Sequence, residues 1–104
     1  MRFGLKEETM AAINGVFRVH PAIERAVLYG SRAKGNFKMG SDVDLTLEGD
    51  DMTSEELAQV EQELDDLLLP YTFDLSVVRQ ITHPGLLDHI RRVGVTFYQR
   101  DQVC

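Results

Sequence analysis

Two segments of the chain alternate polar and apolar residues with a period of two, the pattern of a strand that has one face on a core. In residues 42–47 the apolar positions are Val43, Leu45 and Leu47, and in residues 71–77 they are Tyr71, Phe73, Leu75 and Val77. A third segment, residues 26–29, is a short apolar run bounded by Gly30 and is typical of a buried strand. The pattern predicts these three strands and a last edge strand over residues 95–98.

Three other segments carry apolar residues at helical spacing. The first, residues 5–19, ends at His20-Pro21 because the residue before a proline is pushed out of the helical region. The second opens with the capping-box spacing of Thr53 and Glu56 and stops at Pro70, and its apolar stripe is Leu57, Val60, Leu64, Leu67 and Leu68. The third begins near Pro84 and has Gly94 where a C-cap glycine belongs.

The order of these elements indicates an α+β (mixed α/β) fold, with a small mixed sheet and helices packed on one face. A short helix after Ser31 is compatible with the polar loop of residues 30–41. The 104 residues are close to the usual size of one domain, so residues 1–104 are predicted to form a single domain. At this length a subunit interface, with a copy of the chain or with another protein, is a plausible source of extra stability.

Composition excludes several classes of protein. The net charge of -6 opposes binding to DNA or RNA, and no such partner is expected. No apolar run is long enough for a membrane span or a signal peptide. The only cysteine, Cys104, excludes an intrachain disulfide and a cysteine-based metal site, which fits a reducing cytoplasm. Cytoplasmic localisation is the expectation.

Three aspartates are predicted to share the polar face of the sheet. Asp42 and Asp44 project from the same side of one strand, with Cα atoms roughly 6.6 Å apart, and Asp74 lies on the polar side of another. If those strands are neighbours, the carboxylates repel one another unless a divalent cation neutralises them, and oxygen-only ligands favour Mg²⁺ or Mn²⁺. Two such ions would support an in-line displacement at phosphorus, with Asp74 as the candidate acceptor of the proton of the nucleophile.

The Gly30-Ser31 turn follows a buried strand directly and could offer backbone N–H groups and a hydroxyl to phosphate oxygens. Arg32 and Lys34 could contact a triphosphate or could simply project from a solvated loop. Other known loops do not fit. Gly30 and Gly35 have Walker A spacing, but Asn36-Phe37 replaces its Lys and Ser/Thr, no G-x-G-x-x-G occurs, and the segment after Asp42 lacks the glycine and glutamate of an EF-hand.

Together these motifs resemble the DNA polymerase β-type nucleotidyltransferase superfamily, and most closely its minimal nucleotidyltransferase branch. The residues that carry the resemblance are Gly30-Ser31-Arg32-Ala33-Lys34-Gly35, then Ser41-Asp42-Val43-Asp44-Leu45, then Asp74. The resemblance implies that Asp42, Asp44 and Asp74 bind two Mg²⁺ ions, and that Gly30 and Ser31 hold the β- and γ-phosphates of ATP or another nucleoside triphosphate.

The resemblance also implies a partner. Minimal members are often antitoxins paired with a HEPN-domain toxin, and some add AMP to a tyrosine of that partner. The alternative is a non-catalytic antitoxin that neutralises its toxin by contact alone. A transferase directed at RNA or an antibiotic is disfavoured by the net acidity and by the missing acceptor domain.

Several other residues are predicted to be structural. His20, His83 and His89 lack the spacing of metal ligands. Tyr29, Tyr71 and Phe73 are expected in the core rather than stacked on a nucleobase.

Overall fold

A computed structural model describes residues 3–36, 38 and 42–100. Ser41 of the aspartate motif, Phe37 and Cys104 lie outside these residues. The elements are α1 (Glu7–Arg18), β1 (Arg25–Tyr29), α2 (Ser31–Lys34), β2 (Val43–Glu48), α3 (Ser54–Asp66), β3 (Phe73–Val77), α4 (Pro84–Val93) and β4 (Val95–Gln99), with a 3₁₀ turn at Val78–Gln80. Their order confirms the predicted one, including the short helix after Ser31. Within the described ranges, no helix has the length and apolar character needed to cross a membrane.

The four strands form one mixed sheet in the order β3-β2-β1-β4. β1 runs antiparallel to both β2 and β4, whereas β2 and β3 run parallel. β4 is an edge strand, as predicted, and β3 forms the other edge. The pairing sets Tyr29 of β1 opposite Asp44 of β2, and Asp44 opposite Asp74 of β3. These three positions therefore form one row across the sheet.

The main core lies between one face of the sheet and the helices α1 and α3. Val43, Leu45 and Leu47 of β2 are fully buried there, as the alternation predicts. The two helices contribute Ile13, Phe17, Val60 and Leu64. The start of α3 is fixed by Thr53, whose hydroxyl oxygen accepts the backbone N–H of Glu56 at 3.1 Å. This contact confirms the predicted cap.

The expectation that the helices pack on one face was wrong for α4. Ile90 of α4 packs against Val27 and Tyr29, which point away from the main core. The reason lies in β1, a central strand with apolar residues in both phases of its alternation, so each of its faces needs cover. The helix α4 therefore lies on the same face of the sheet as the aspartates.

The apolar stripe predicted for α3 was wrong at its end. The helix stops at Asp66, and Leu68 adopts a positive φ of 55°. Because the backbone leaves the right-handed helical region at Leu68, before Pro70, the side chain of Leu68 points outward and is 88% exposed.

Gly94 ends α4 for a reason of space. Its φ of -63° is available to any residue, so conformational freedom is not what the position requires. A β-carbon there would collide with the carbonyl oxygen of Ile90 and lie 2.8 Å from a methyl group of Val27. Glycine thus allows the chain to pass between α4 and β1 into β4.

The variant Gly94→Ala should lower the free energy of unfolding by about 1–3 kcal/mol, because the added methyl overpacks the contact between α4 and β1. Gly15→Ala is the matched control: Gly15 lies in α1, and an added β-carbon meets nothing within 4 Å. Its expected effect is a gain of up to about 1 kcal/mol from helix propensity. Urea unfolding followed by circular dichroism measures both, and equal stability of the two variants would refute this account of Gly94.

Candidate active site

Asp44 and Asp74 are direct neighbours across the parallel pair β2 and β3. Both project from the face opposite the main core, since Leu45 and Leu47 occupy the other phase of β2. Asp42 stands just before β2, close enough for its charge to act on Asp44. Asp42 and Asp74 are exposed, and Asp44 is half-buried. The structure therefore brings the three predicted carboxylates to one region of the surface.

The carboxylates disturb one another. Burial raises the pKa of Asp44 above its ordinary value, and the charges of Asp74 and then Asp42 raise it further. The imidazole of His89, on α4, acts in the opposite direction. Burial and the two neighbouring carboxylates thus disfavour the charged form of Asp44, whereas His89 favours it. A cation at this place would relieve that penalty.

Gly30 brings the tight turn after β1 against Asp44. It has a φ of 77° and forms the N-cap of α2, whose first residue is the half-buried Ser31. A β-carbon at Gly30 would collide with Oδ2 of Asp44. Glycine is needed here for both its positive φ and its lack of a side chain. The carboxylate of β2 and the turn after β1 thus meet at one point, as the sequence predicts.

Arg32 and Lys34 follow that turn in different environments. Arg32 is 3% exposed; its Nη1 donates to the carbonyl oxygen of Phe3 at 2.8 Å, and its guanidinium lies 5.2 Å from the centre of the Tyr71 ring. These contacts brace α2 against the start of the chain and against the segment before β3. Lys34 is exposed. A contact of either residue with a triphosphate stays a prediction.

Two residues on the aspartate face were not identified from the sequence as part of the site. Tyr29 packs beneath α4, and its pKa is raised by burial and by the charges of Asp74 and Asp44, against a hydrogen bond with Ser76 that lowers it. The ring of His89 meets that of Tyr29 edge-on, with centroids 6.2 Å apart. The position of Tyr29 could have been predicted, because it alternates with Leu28 along β1 and so belongs to the face opposite the main core. The position of His89 could not, because its helix was assigned to the other face of the sheet.

The donor set suits a hard divalent cation. Asp42, Asp44 and Asp74 offer only oxygen ligands, and their mutual repulsion is the penalty that such an ion removes. In the described part of the chain, no three His, Cys, Asp or Glu side chains converge, as they stand, closely enough to hold a metal ion. These aspartates are the residues that would hold Mg²⁺; the assignment remains a prediction.

The family is decided by a match over most of the chain. Residues 11–103 match the model of the polymerase β nucleotidyltransferase domain. The chain belongs to the polymerase β nucleotidyltransferase family. No curated protein matches it.

Several solved structures that are similar to this chain in fold are of toxin–antitoxin proteins. A toxin–antitoxin structure with AMP-PNP has a TM-score of 0.71 at 20% identity, over 92% of this chain and 75% of the other. A structure of a tri-AMPylated Shewanella oneidensis HEPN toxin in complex with an MNT antitoxin has a TM-score of 0.68 at 17% identity, over 92% and 74%. The MntA–HepT toxin–antitoxin structure has a TM-score of 0.67 at 18% identity, over 91% and 74%. At these identities the likeness establishes the fold.

The variant Gly30→Ala should damage the site more than Gly35→Ala. Both positions have a positive φ, 77° and 84°, so alanine at either costs roughly 1–2 kcal/mol of stability. At Gly35 the added β-carbon meets nothing within 4 Å, whereas at Gly30 it displaces the carboxylate of Asp44. Calorimetric titration with Mg²⁺ and a non-hydrolysable ATP analogue should therefore show binding for Gly35→Ala and none for Gly30→Ala. Equal binding by the two variants would contradict the assigned contact.

Proposed function

We propose that this chain is a Mg²⁺-dependent nucleotidyltransferase that transfers AMP from ATP to a partner protein, as the antitoxin of a HEPN/MNT toxin–antitoxin pair. The observation that carries the proposal is the pairing of Asp44 with Asp74 beside the Gly30 turn. The choice of ATP and of a HEPN-type partner is supported by the neighbours of similar fold, one with AMP-PNP and one with an AMPylated toxin.

The order of the strands supports a side for each reactant in this proposal. The Gly30-Ser31 turn ends β1, Asp74 lies on β3, and β2 runs between them. With the β- and γ-phosphates at the turn, the leaving pyrophosphate is on the β1 side. In-line displacement requires the nucleophile on the opposite side of the α-phosphorus, which is the side of β3. The acceptor must therefore approach over the edge strand.

The residues of the chain divide the work of the displacement. Gly30 and Ser31 bind and orient the triphosphate, and Asp42, Asp44 and Asp74 would hold Mg²⁺. Mg²⁺, when bound, polarises the phosphate and lowers the pKa of the attacking hydroxyl. Asp74 is exposed on the acceptor side and accepts the proton of that hydroxyl. The bond from the acceptor oxygen to the α-phosphorus forms as the bond from that phosphorus to the pyrophosphate oxygen breaks.

At the β3 edge, on the face of the sheet opposite the aspartates, an acidic groove of about 340 Å³ lies between α3 and β3. Its lining includes Glu61, Asp65, Tyr71 and Phe73. Acidic residues recur along α3, which contains no lysine or arginine. A partner that bridges the β3 edge, with its acceptor hydroxyl at the aspartates, would complement this groove with basic and apolar side chains.

The direct test is label transfer. The purified chain is incubated with Mg²⁺, ATP labelled at the α-phosphate and the HEPN-type protein encoded beside it. The partner should become labelled, and Asp44→Asn should lower the rate by on the order of 100-fold or more, since charge stabilisation at the reacting phosphate is lost. Asp51→Asn, in an exposed turn outside the site, is the control and should label the partner at the normal rate.

Two results would contradict the proposal. One is the absence of label with ATP, GTP, CTP and UTP. The other is a normal rate for Asp44→Asn. If Asp44→Asn loses transfer but still neutralises the toxin in cells, neutralisation comes from contact, as in the non-catalytic alternative.

A further inference from the structure

The strand β3 is an edge strand with one unpaired side. Within the part of the chain that the structure describes, no strand pairs with its outer side. On the inner side, the carbonyl oxygen of Thr72 accepts the backbone N–H of Val43 at 2.9 Å. The N–H and C=O of one residue point to the same side of a strand, and successive residues alternate. Asp74 therefore directs its backbone groups to β2, whereas Phe73 and Leu75 direct theirs to the open edge.

The side chains of β3 alternate between the two faces of the sheet. Asp74 is exposed on the face of the candidate site, and Phe73 and Leu75 are half-buried on the other face, against the main core. The residues with free backbone groups are thus the neighbours of the aspartate and not the aspartate itself. A strand added at this edge would bond to Phe73 and Leu75 and would leave the carboxylate of Asp74 available for chemistry.

The face that carries Phe73 and Leu75 borders the acidic groove between α3 and β3. Glu61 and Asp65 of α3 are one helical turn apart, line this groove and are exposed. Neither forms an ion pair with a basic residue among those that the structure describes. The apolar part of the lining comes from Tyr71 and from the two strand residues. The groove therefore suits side chains with an apolar stem and a positive end, as in lysine and arginine.

We propose that an extended basic segment of the partner protein adds to the outer edge of β3 as an antiparallel strand, with its acceptor hydroxyl opposite Asp74. The inference rests on the proposed function for the reaction that follows docking. In this pairing the residue opposite Asp74 forms a pair without mutual hydrogen bonds, in which the β-carbons come within about 4.5–5.5 Å. Its side chain lies on the face of the site, and its two neighbours point into the acidic groove.

The first measurement is amide hydrogen exchange in the free chain, followed by NMR. The N–H groups of Asp74 and Ser76 point to β2 and should exchange slowly, whereas those of Phe73 and Leu75 should exchange fast. Slow exchange at Phe73 and Leu75 in the free chain would show that the edge is already covered, and would overturn the proposal.

The second measurement adds a probe peptide to the full, isotope-labelled chain. The probe is short and has a threonine in the middle, a lysine on each side of it and glutamines beyond. Its binding should shift the amide signals of Phe73 and Leu75 and slow their exchange. Methyl groups on the backbone nitrogens of the two lysines should weaken binding by about 10-fold, because two hydrogen bonds to the edge are lost.

The double variant Glu61→Gln/Asp65→Asn tests the groove. It removes two charges that face the lysines of the probe, so the affinity should fall by about 3–10-fold. The matched control is Asp51→Asn/Glu55→Gln, which makes the same change of net charge at exposed positions outside the lining of the groove. Its affinity should equal that of the wild type, and circular dichroism verifies that both variants are folded.

The outcomes separate docking from catalysis. Docking at β3 is overturned by a probe that does not bind, by equal affinity for the N-methylated probe or for a probe with glutamate in place of lysine, or by equal loss in the two double variants. Each of these results leaves the proposed function standing. Binding with all the expected dependences, in a chain that transfers no label to the partner, would overturn the proposed function and leave β3 as a docking edge.

Discussion

The parallel pairing of β2 with β3 is the interaction on which the site depends. It sets Asp44 beside Asp74, and the alternation of each strand then directs both carboxylates away from the core. The antiparallel partner of β2 on its other side, β1, delivers the Gly30 turn to the same row. A shift of one residue in either pairing would move a strand's apolar side chains to solvent and its acidic one to the core. The packing of the core and the geometry of the site therefore specify the same register.

That arrangement carries an electrostatic cost. Burial and the two neighbouring carboxylates raise the pKa of Asp44 in the folded chain. Its contribution to stability is therefore present below the ordinary pKa of 3.8 and is lost as the pH rises through the raised value. At neutral pH the metal-free chain thus folds against this repulsion. The main core and α4 bury apolar residues on the two faces of β1, and this burial offsets the electrostatic repulsion among the aspartates.

The sequence predicted those features of the fold that depend on local residue patterns, such as the face of a strand on which a residue lies. Alternation reports which face a residue occupies, so the inward positions of β2 and the common face of the aspartates followed from it. It does not report which strands pair, because pairing depends on contacts distant in the chain. The layer of α4 was missed for a related reason: an apolar helical stripe shows that a helix packs, but a central strand such as β1 offers two faces to pack against.

Residues around the aspartates were also harder to assign from sequence. Arg32 follows a phosphate-type turn and remains a candidate triphosphate contact, and its contacts with Phe3, 29 residues earlier, and with Tyr71 could not be read from local spacing. Tyr29 lies in an apolar run and was assigned to the core; it is buried, but on the face of β1 that carries the aspartates. Such contacts come from the tertiary arrangement, and no local spacing describes them.

The central claim is that the aspartates from two paired strands form one cation site against the Gly30 turn. A crystal structure of the chain with Mn²⁺ and a non-hydrolysable ATP analogue, with the metal located by its anomalous scattering, tests it most directly. The account predicts manganese bound by carboxylate oxygens of Asp44 and Asp74, with the β- and γ-phosphates at Gly30 and Ser31. Nucleotide bound elsewhere, or Asp74 turned away from Asp44 with no manganese between them, would contradict it.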